Sequence, residues 1–348
     1  MFTPDYTNLQ KAAKNIEVER IPLYEHAVGT GIAEKIMNKN FSPLWLGNFE
    51  DKKEFFKTYA EFYKKMGYDT ISFEFSITDI LPGGGALGGH KKGVIQTRDD
   101  FNKYPFEEIP EMFAAKYDEG IKALTEAMPE GMKAVGGVGN GIFECVQDLV
   151  GYMDLSIMSF EDPELYADMF KKVGETNLKI WKWFMEKYSD TYCVLRFGDD
   201  LGFKNNTLIS HDDIRDHIIP QFKNIIDLVH SYNKPFLLHS CGQIFDVMDD
   251  LIGAGIDAKH SNEDQIALFP VWVEKYGDRI GNFGGIDTDA VCRLTKPEMK
   301  EYITDVVSKC KGHGGFAFGS GNSIPDYVPV ENFITMNEII RELRGEAL

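Results

Sequence analysis

The stretch Lys234-Pro235-Phe236-Leu237-Leu238-His239-Ser240-Cys241-Gly242 decides how this chain is read. The apolar run after Lys234 has the length and composition of a short buried strand, and its end carries a histidine and a cysteine two residues apart. Alternate residues of an extended segment point to one side, so His239 and Cys241 present imidazole and thiol together. Both groups are ligands that suit zinc. Gly242 lets the chain turn away sharply behind them. Taken alone, His-x-Cys also describes a buried histidine beside an inert thiol. The strand-end position favours the ligand reading.

Working outward, eight short β-rich runs alternate with longer helical patterns: Ile21–Tyr24, Thr70–Phe75, Lys133–Val138, Cys193–Phe197, Phe236–His239, Ala258–His260, Ile280–Phe283 and Phe316–Phe318. Phe55, Phe56, Tyr59 and Phe62 fall at helical spacing within 53–63, and Asp162-Pro163 reads as cap and first turn of a helical stretch to Tyr188. Ile218, Ile219, Phe222, Ile225, Ile226 and Val229 form one apolar face within 214–232. Eightfold strand–helix alternation predicts a (β/α)8 TIM barrel over residues 20–348, with residues 1–19 as a helical N-terminal extension whose helix spans 8–18. A doubly wound open sheet is the rival, and periodicity separates the two poorly.

In a barrel, strand ends and the loops after them carry the chemistry. The ends here are polar throughout: Glu25 and His26, Glu74, Asn140, Asp199 and Asp200, His239 and Cys241, His260 with Glu263, Asp287, then Ser320 and Asn322. Asp199 and Asp200 would orient a substrate, bind a metal or hold His239; the plainer alternative is a turn and helix cap, with Arg196 paired to one of them. Glu263-Asp264 could equally cap a following helix, and His26 reads more readily as a hydrogen-bonded histidine than as a catalytic one. The loop Pro82–Lys92 is rich in glycine but lacks the Gly-Lys-Ser/Thr order of a phosphate loop, so a lid over the barrel mouth is the better expectation. Trp181, Trp183 and Trp272 sit at helical spacings and read as core or interface.

Composition narrows the class. With 37 basic and 55 acidic side chains the formal charge is −18, which repels phosphate backbones and argues against nucleic acid as a partner. No apolar run reaches membrane-span length, and the N-terminus does not read as a signal peptide. The five cysteines, Cys145, Cys193, Cys241, Cys292 and Cys310, form no CxxC pair and no disulfide framework. A reducing cytoplasmic setting fits them.

Taken together, Gly198-Asp199-Asp200-Leu201-Gly202, Leu238-His239-Ser240-Cys241-Gly242, Gly284-Gly285-Ile286-Asp287 and Gly321-Asn322-Ser323-Ile324-Pro325 leading to Pro329-Val330-Glu331-Asn332 resemble the uroporphyrinogen decarboxylase superfamily. Within it, the chain looks like the zinc-dependent methyltransferases that act with corrinoid proteins. The resemblance runs from about Arg20 onward and implies a (β/α)8 barrel with its site at the C-terminal mouth. The arginine cluster that holds a porphyrinogen in the decarboxylases is absent from the stretch 20–29, where Glu25 would repel a polycarboxylate. In the methyltransferase branch, His-x-Cys and a later cysteine bind Zn2+; here Ser320 stands at that later position. The resemblance therefore implies zinc on His239 and Cys241, completed by a carboxylate, with Glu74 and Glu263 as candidates, or no metal at all. An oxygen- and nitrogen-richer set leaves zinc a stronger Lewis acid, which points to a small methylated donor such as a methoxylated aromatic (O-demethylation) and to a corrinoid (cobalamin) carried by a partner protein. A metal-free lyase and a non-catalytic corrinoid-protein-binding subunit are the rivals. Oligomeric state is open.

Overall fold

The computed structural model describes residues 2–89 and 91–346. Seven parallel strands form one sheet: β1 (Thr70–Ser76), β2 (Lys133–Gly139), β3 (Tyr192–Gly198), β4 (Phe236–His239), β5 (Ala258–His260), β6 (Gly281–Ile286) and β7 (Phe316–Ser320). Their spatial order is their order in sequence, without the reversal that marks a doubly wound sheet, so the open-sheet rival falls. The fold is an α/β barrel of the TIM type, with the helices outside.

The expected first strand, 21–24, is not a full strand. It runs parallel to β7 through an isolated bridge between Leu23 and Phe318, with Tyr24 N–H donating to the Phe318 carbonyl at 2.9 Å. Pro22 accepts from Phe318 N–H but has no N–H of its own with which to extend the ladder backwards. Among the described residues no ladder joins this segment to β1, and side chains bridge the seam instead. Arg196, buried on β3, donates through Nη1 to the Tyr24 hydroxyl (2.7 Å), the His26 carbonyl (2.9 Å) and Ser72 Oγ (3.1 Å).

The N-terminal helix closes the barrel floor. It spans Thr7–Ala13, shorter than expected, because Asn15 takes a left-handed conformation (φ 58°) and turns its side chain to Gly277 O and Gly315 N. Leu9, Ala12 and Ala13 pack with the inward side chains Tyr24, Val135, Val194, Leu237, Ala258, Phe283 and Ala317. The 7-residue helix is below the length that is stable alone, so packing on the barrel holds it. Elsewhere Asp162 caps Pro163–Tyr188 by accepting from Leu165 N–H at 3.0 Å, as expected. The helix expected over 214–232 opens with a widened turn at Ile214–Ile218 and is regular over Ile219–Ser231; Pro220 has no N–H to give to the turn before it. Trp181 and Trp272 lie in the core. No described helix is long and apolar enough to cross a membrane.

The glycine-rich loop is pinned to its neighbour: Asp148 Oδ1, on the helix Ile142–Val150, accepts from Gly85 N–H (2.9 Å) and Leu87 N–H (3.1 Å). His90 of that loop lies outside the described residues.

Candidate metal centre

Two glycines bring the decisive motifs together. Gly242 has φ +85°, and a Cβ there would meet the Gly202 carbonyl carbon at 2.1 Å. The loops after β3 and β4 therefore cross backbone to backbone, with Gly202 N–H donating to Cys241 O (3.2 Å) and Gln243 N–H to Phe203 O (2.6 Å). This crossing lays Asp200 beside the end of β4, where its Oδ1 accepts from Cys241 N–H at 2.9 Å.

His239 Nε2, Cys241 Sγ and an Asp200 carboxylate oxygen all lie within 4.8 Å of one another. The Nε2–Sγ distance is 3.4 Å and Nε2–Oδ1 is 3.9 Å. A tetrahedral zinc at its usual bond lengths to imidazole and thiolate holds those two atoms about 3.5 Å apart.

A chain of hydrogen bonds sets the histidine's tautomer. His260, directly opposite His239 in the β4–β5 register, places Nε2 at 3.1 Å from the Ser320 carbonyl, which can only accept. His260 Nε2 therefore carries a proton. Burial pushes the His260 pKa down to about 3, so the ring is neutral and its Nδ1 is an acceptor. His239 Nδ1, 2.7 Å away, must then donate. The remaining nitrogen, His239 Nε2, bears a lone pair facing Cys241 and Asp200, the arrangement that outer hydrogen bonds give to metal-binding histidines. Burial, with His260 and Arg196 nearby, holds His239 well below the usual imidazole range, so the lone pair stays free.

The sulfur is also prepared. Cys241 Sγ receives Asn322 Nδ2–H at 3.2 Å and Ser261 Oγ–H at 3.6 Å. Burial and the Asp200 carboxylate nonetheless push the thiol upward. Without a cation the pair is a thiol beside a neutral imidazole, not a preformed thiolate nucleophile.

The other expected site residues fall elsewhere. Glu74 does not join the cluster: its Oε2 takes Arg196 Nε–H (3.0 Å) and Nη2–H (2.7 Å), and that buried guanidinium claims the carboxylate. Arg196 thus pairs with Glu74 and not with Asp199 or Asp200. Glu263 is outside the cluster and lines a neighbouring hollow of about 230 Å³ with Asn262, Asp287, Thr288, Asn322, Ser323 and Tyr327. Asp199 follows the plainer reading and caps a helix, its carboxylate accepting from Phe143 N–H (3.0 Å) and Glu144 N–H (2.9 Å) at the start of Ile142–Val150. Ser320 turns away from the cluster to Glu25, donating Oγ–H at 2.5 Å and N–H at 3.0 Å. Burial pushes the Glu25 carboxyl up to about 7.

Three contributors have roles that the sequence does not reveal. His260 is legible only as a polar strand end, and Ser261 only as the residue after it. Glu144, half-buried on the helix Ile142–Val150, accepts from Asp200 N–H (3.3 Å) and Asn140 Nδ2–H (2.8 Å). Burial pushes Asp199 and Glu144 upward, and the charges of Asp199 and Asp200 push Glu144 further, while N–H donors on each carboxylate favour its charged form. His26 stacks on His239 with ring centroids 3.8 Å apart, and its buried Nδ1 has no hydrogen-bond partner among the described residues.

Fold and site together define an α/β-barrel protein with three convergent side chains at the C-terminal mouth that could hold a metal ion. The uroporphyrinogen decarboxylase (URO-D) family pattern matches residues 5–343, and the chain belongs to that family. Its fold is similar to that of a methyltransferase from Methanosarcina mazei (TM-score 0.72, 17% identity, 99% of each chain covered). It is also similar to a chain described as a vitamin-B12-independent methionine synthase from Listeria monocytogenes (TM-score 0.50, 16% identity, covering 93% of this chain and 98% of that one). At these identities the likeness establishes the fold. No curated protein matches the sequence.

Proposed function

We propose that this protein is a zinc-dependent methyltransferase that moves a methyl group between a small methylated donor and a corrinoid protein. The observation that carries the reading is the His239 Nε2 lone pair, fixed by the His260–Ser320 relay and aimed at Cys241 and Asp200. Nitrogen, sulfur and oxygen ligands with a fourth position open make an acceptable catalytic zinc set. Asp200 takes the role expected of Glu74 or Glu263.

When bound, zinc supplies Lewis-acid stabilisation of the group left behind when the methyl departs, and the partner's corrinoid supplies the methyl acceptor. The chain's own residues prepare that chemistry. His239 needs no proton removed. Cys241 releases its thiol proton on binding, with Asn322 and Ser261 donating to the sulfur left behind. His26 stacks on the His239 ring and limits where it can turn. One thiolate in place of two favours an oxygen leaving group, such as that of a methoxylated aromatic, over a thiol.

A protein partner is supported by the rim. Phe203, Leu268 and Tyr327, on the loops after β3, β5 and β7, are 65%, 48% and 75% exposed, an apolar fringe of the kind that meets another protein. The fold likeness to a methyltransferase is in keeping with the reading.

Metal analysis of purified protein tests the first half. The expected result is about one zinc per chain, lost in His239→Ala and Cys241→Ala. Mixing the protein with a reduced corrinoid protein and a methoxylated aromatic tests the second, with methylation of the corrinoid followed by absorbance. Zinc-free protein that retains full activity would exclude the zinc-dependent reading. Corrinoid-protein binding without transfer from any methyl donor would favour the non-catalytic subunit.

A further inference from the structure

Lys259 is a buried lysine, its amine pushed down to about 7 by burial, with no part in the cluster just described. It lies on β5 between the inward residues Ala258 and His260, so its side chain points outward, beneath the helix Phe269–Tyr276. It is 2% exposed, and its ammonium sits 3.7 Å from the centroid of the Trp272 ring. Its hydrogen-bond acceptor is the carbonyl of Ser261, two residues on.

Ser261 is itself unusual. Its φ is +104°, a conformation that favours glycine and strains a residue with a Cβ. A glycine would adopt it freely. What serine adds is a hydroxyl, and that hydroxyl donates to Cys241 Sγ at 3.6 Å. Strained backbone, buried amine and sulfur thus form one line: Lys259 Nζ to Ser261 O, Ser261 Oγ to Cys241 Sγ. The preceding residue, His260, orients His239 from the same strand end.

We propose that Lys259 is a positioning residue for the candidate metal centre. By gripping the Ser261 carbonyl from the outer face of β5, it holds the left-handed backbone that aims the Ser261 hydroxyl at the Cys241 sulfur. Trp272 keeps the amine in place through a cation–π contact. The inference rests on the metal reading above and extends it to a residue that touches neither ion nor substrate.

The test compares full-length native protein with Lys259→Met, Ser261→Ala and the double variant. Methionine is unbranched, one atom shorter than lysine and able to pack on Trp272, but has no N–H to donate. Zinc affinity is read by chelator competition, and the sulfur-to-metal absorption band is read on the cobalt(II)-substituted protein. Each single variant is expected to weaken zinc binding about tenfold and to move the band in the same direction, as loss of an outer hydrogen bond does. The double variant is expected to match the singles, because both remove one interaction. Native affinity and an unmoved band in Lys259→Met, or effects that multiply in the double variant, overturn the inference while leaving the metal reading intact. A native protein that takes up neither ion removes both. If Lys259→Met does not fold, Ser261→Gly carries the test: it accepts the backbone without help but has no hydroxyl, so zinc binding as tight as native would overturn the proposal.

Discussion

Replacing His260 with phenylalanine tests the relay on which the metal reading depends. In the native arrangement Ser320 O accepts from His260 Nε2–H, and His260 Nδ1 accepts from His239 Nδ1–H at 2.7 Å. Phenylalanine keeps the ring and removes both nitrogens. His239, 5% exposed, can then move its proton to Nε2. Binding zinc must reverse that change and leave Nδ1–H buried without an acceptor, at a cost of about 1–3 kcal/mol. Zinc affinity should therefore fall roughly 5- to 150-fold. His260→Gln provides the control, because its amide has one acceptor and one donor and should bring affinity back to within a few-fold of native. Both are measured by competition with a chromophoric chelator at neutral pH, with circular dichroism to verify folding. A phenylalanine variant that binds zinc like the native protein, or a glutamine variant as weak as phenylalanine, would refute the argument that the relay sets the tautomer.

Further outcomes follow from the same geometry. Asp200→Ala should lower zinc affinity by at least tenfold, whereas Glu263→Ala should leave it unchanged; equal losses in the two would reject Asp200 as the third ligand. Glu74→Ala should spare zinc affinity but destabilise the fold by about 3 kcal/mol in urea unfolding, because it leaves the Arg196 guanidinium buried and unpaired. Zinc affinity should rise about tenfold per pH unit between roughly pH 6 and 8, since binding releases the Cys241 thiol proton while His239, held well below 6.5, has none to lose there; a slope near zero or near two would contradict that assignment. The Glu25 carboxyl is raised from 4.5 to about 7, so the stability it contributes is fully present below about 4.5 and is lost as pH rises through about 7. The shift corresponds to about 3 kcal/mol. Glu25→Gln removes the titrating group, and its unfolding midpoint should gain on the native protein across that window; a constant gap would exclude a buried, protonated Glu25.

The sequence alone determined what lies along one strand. Phe236–His239 shows its ends, and with Cys241 its candidate ligands, without help, because alternation and burial are written into consecutive positions, and Ala258–His260 is equally legible. Asp162 as a cap is legible for the same reason: donor and acceptor lie three residues apart. The first run failed at Pro22, a local signal whose consequence depends on which neighbour it faces. Tertiary structure decided the third candidate ligand. Asp199 and Asp200 are adjacent in sequence and look alike there, yet one carboxylate turns to a helix end and the other to Cys241, because Gly202 and Gly242 let two loops cross at van der Waals contact. Glu74, promising by position, is taken by Arg196 from two strands away. The parallel register of β4 and β5 sets His260 opposite His239, 21 residues on in the chain. Choices among like carboxylates, and the tautomer of an imidazole, depend on which polar groups meet across strands, and no periodicity along a single chain records that.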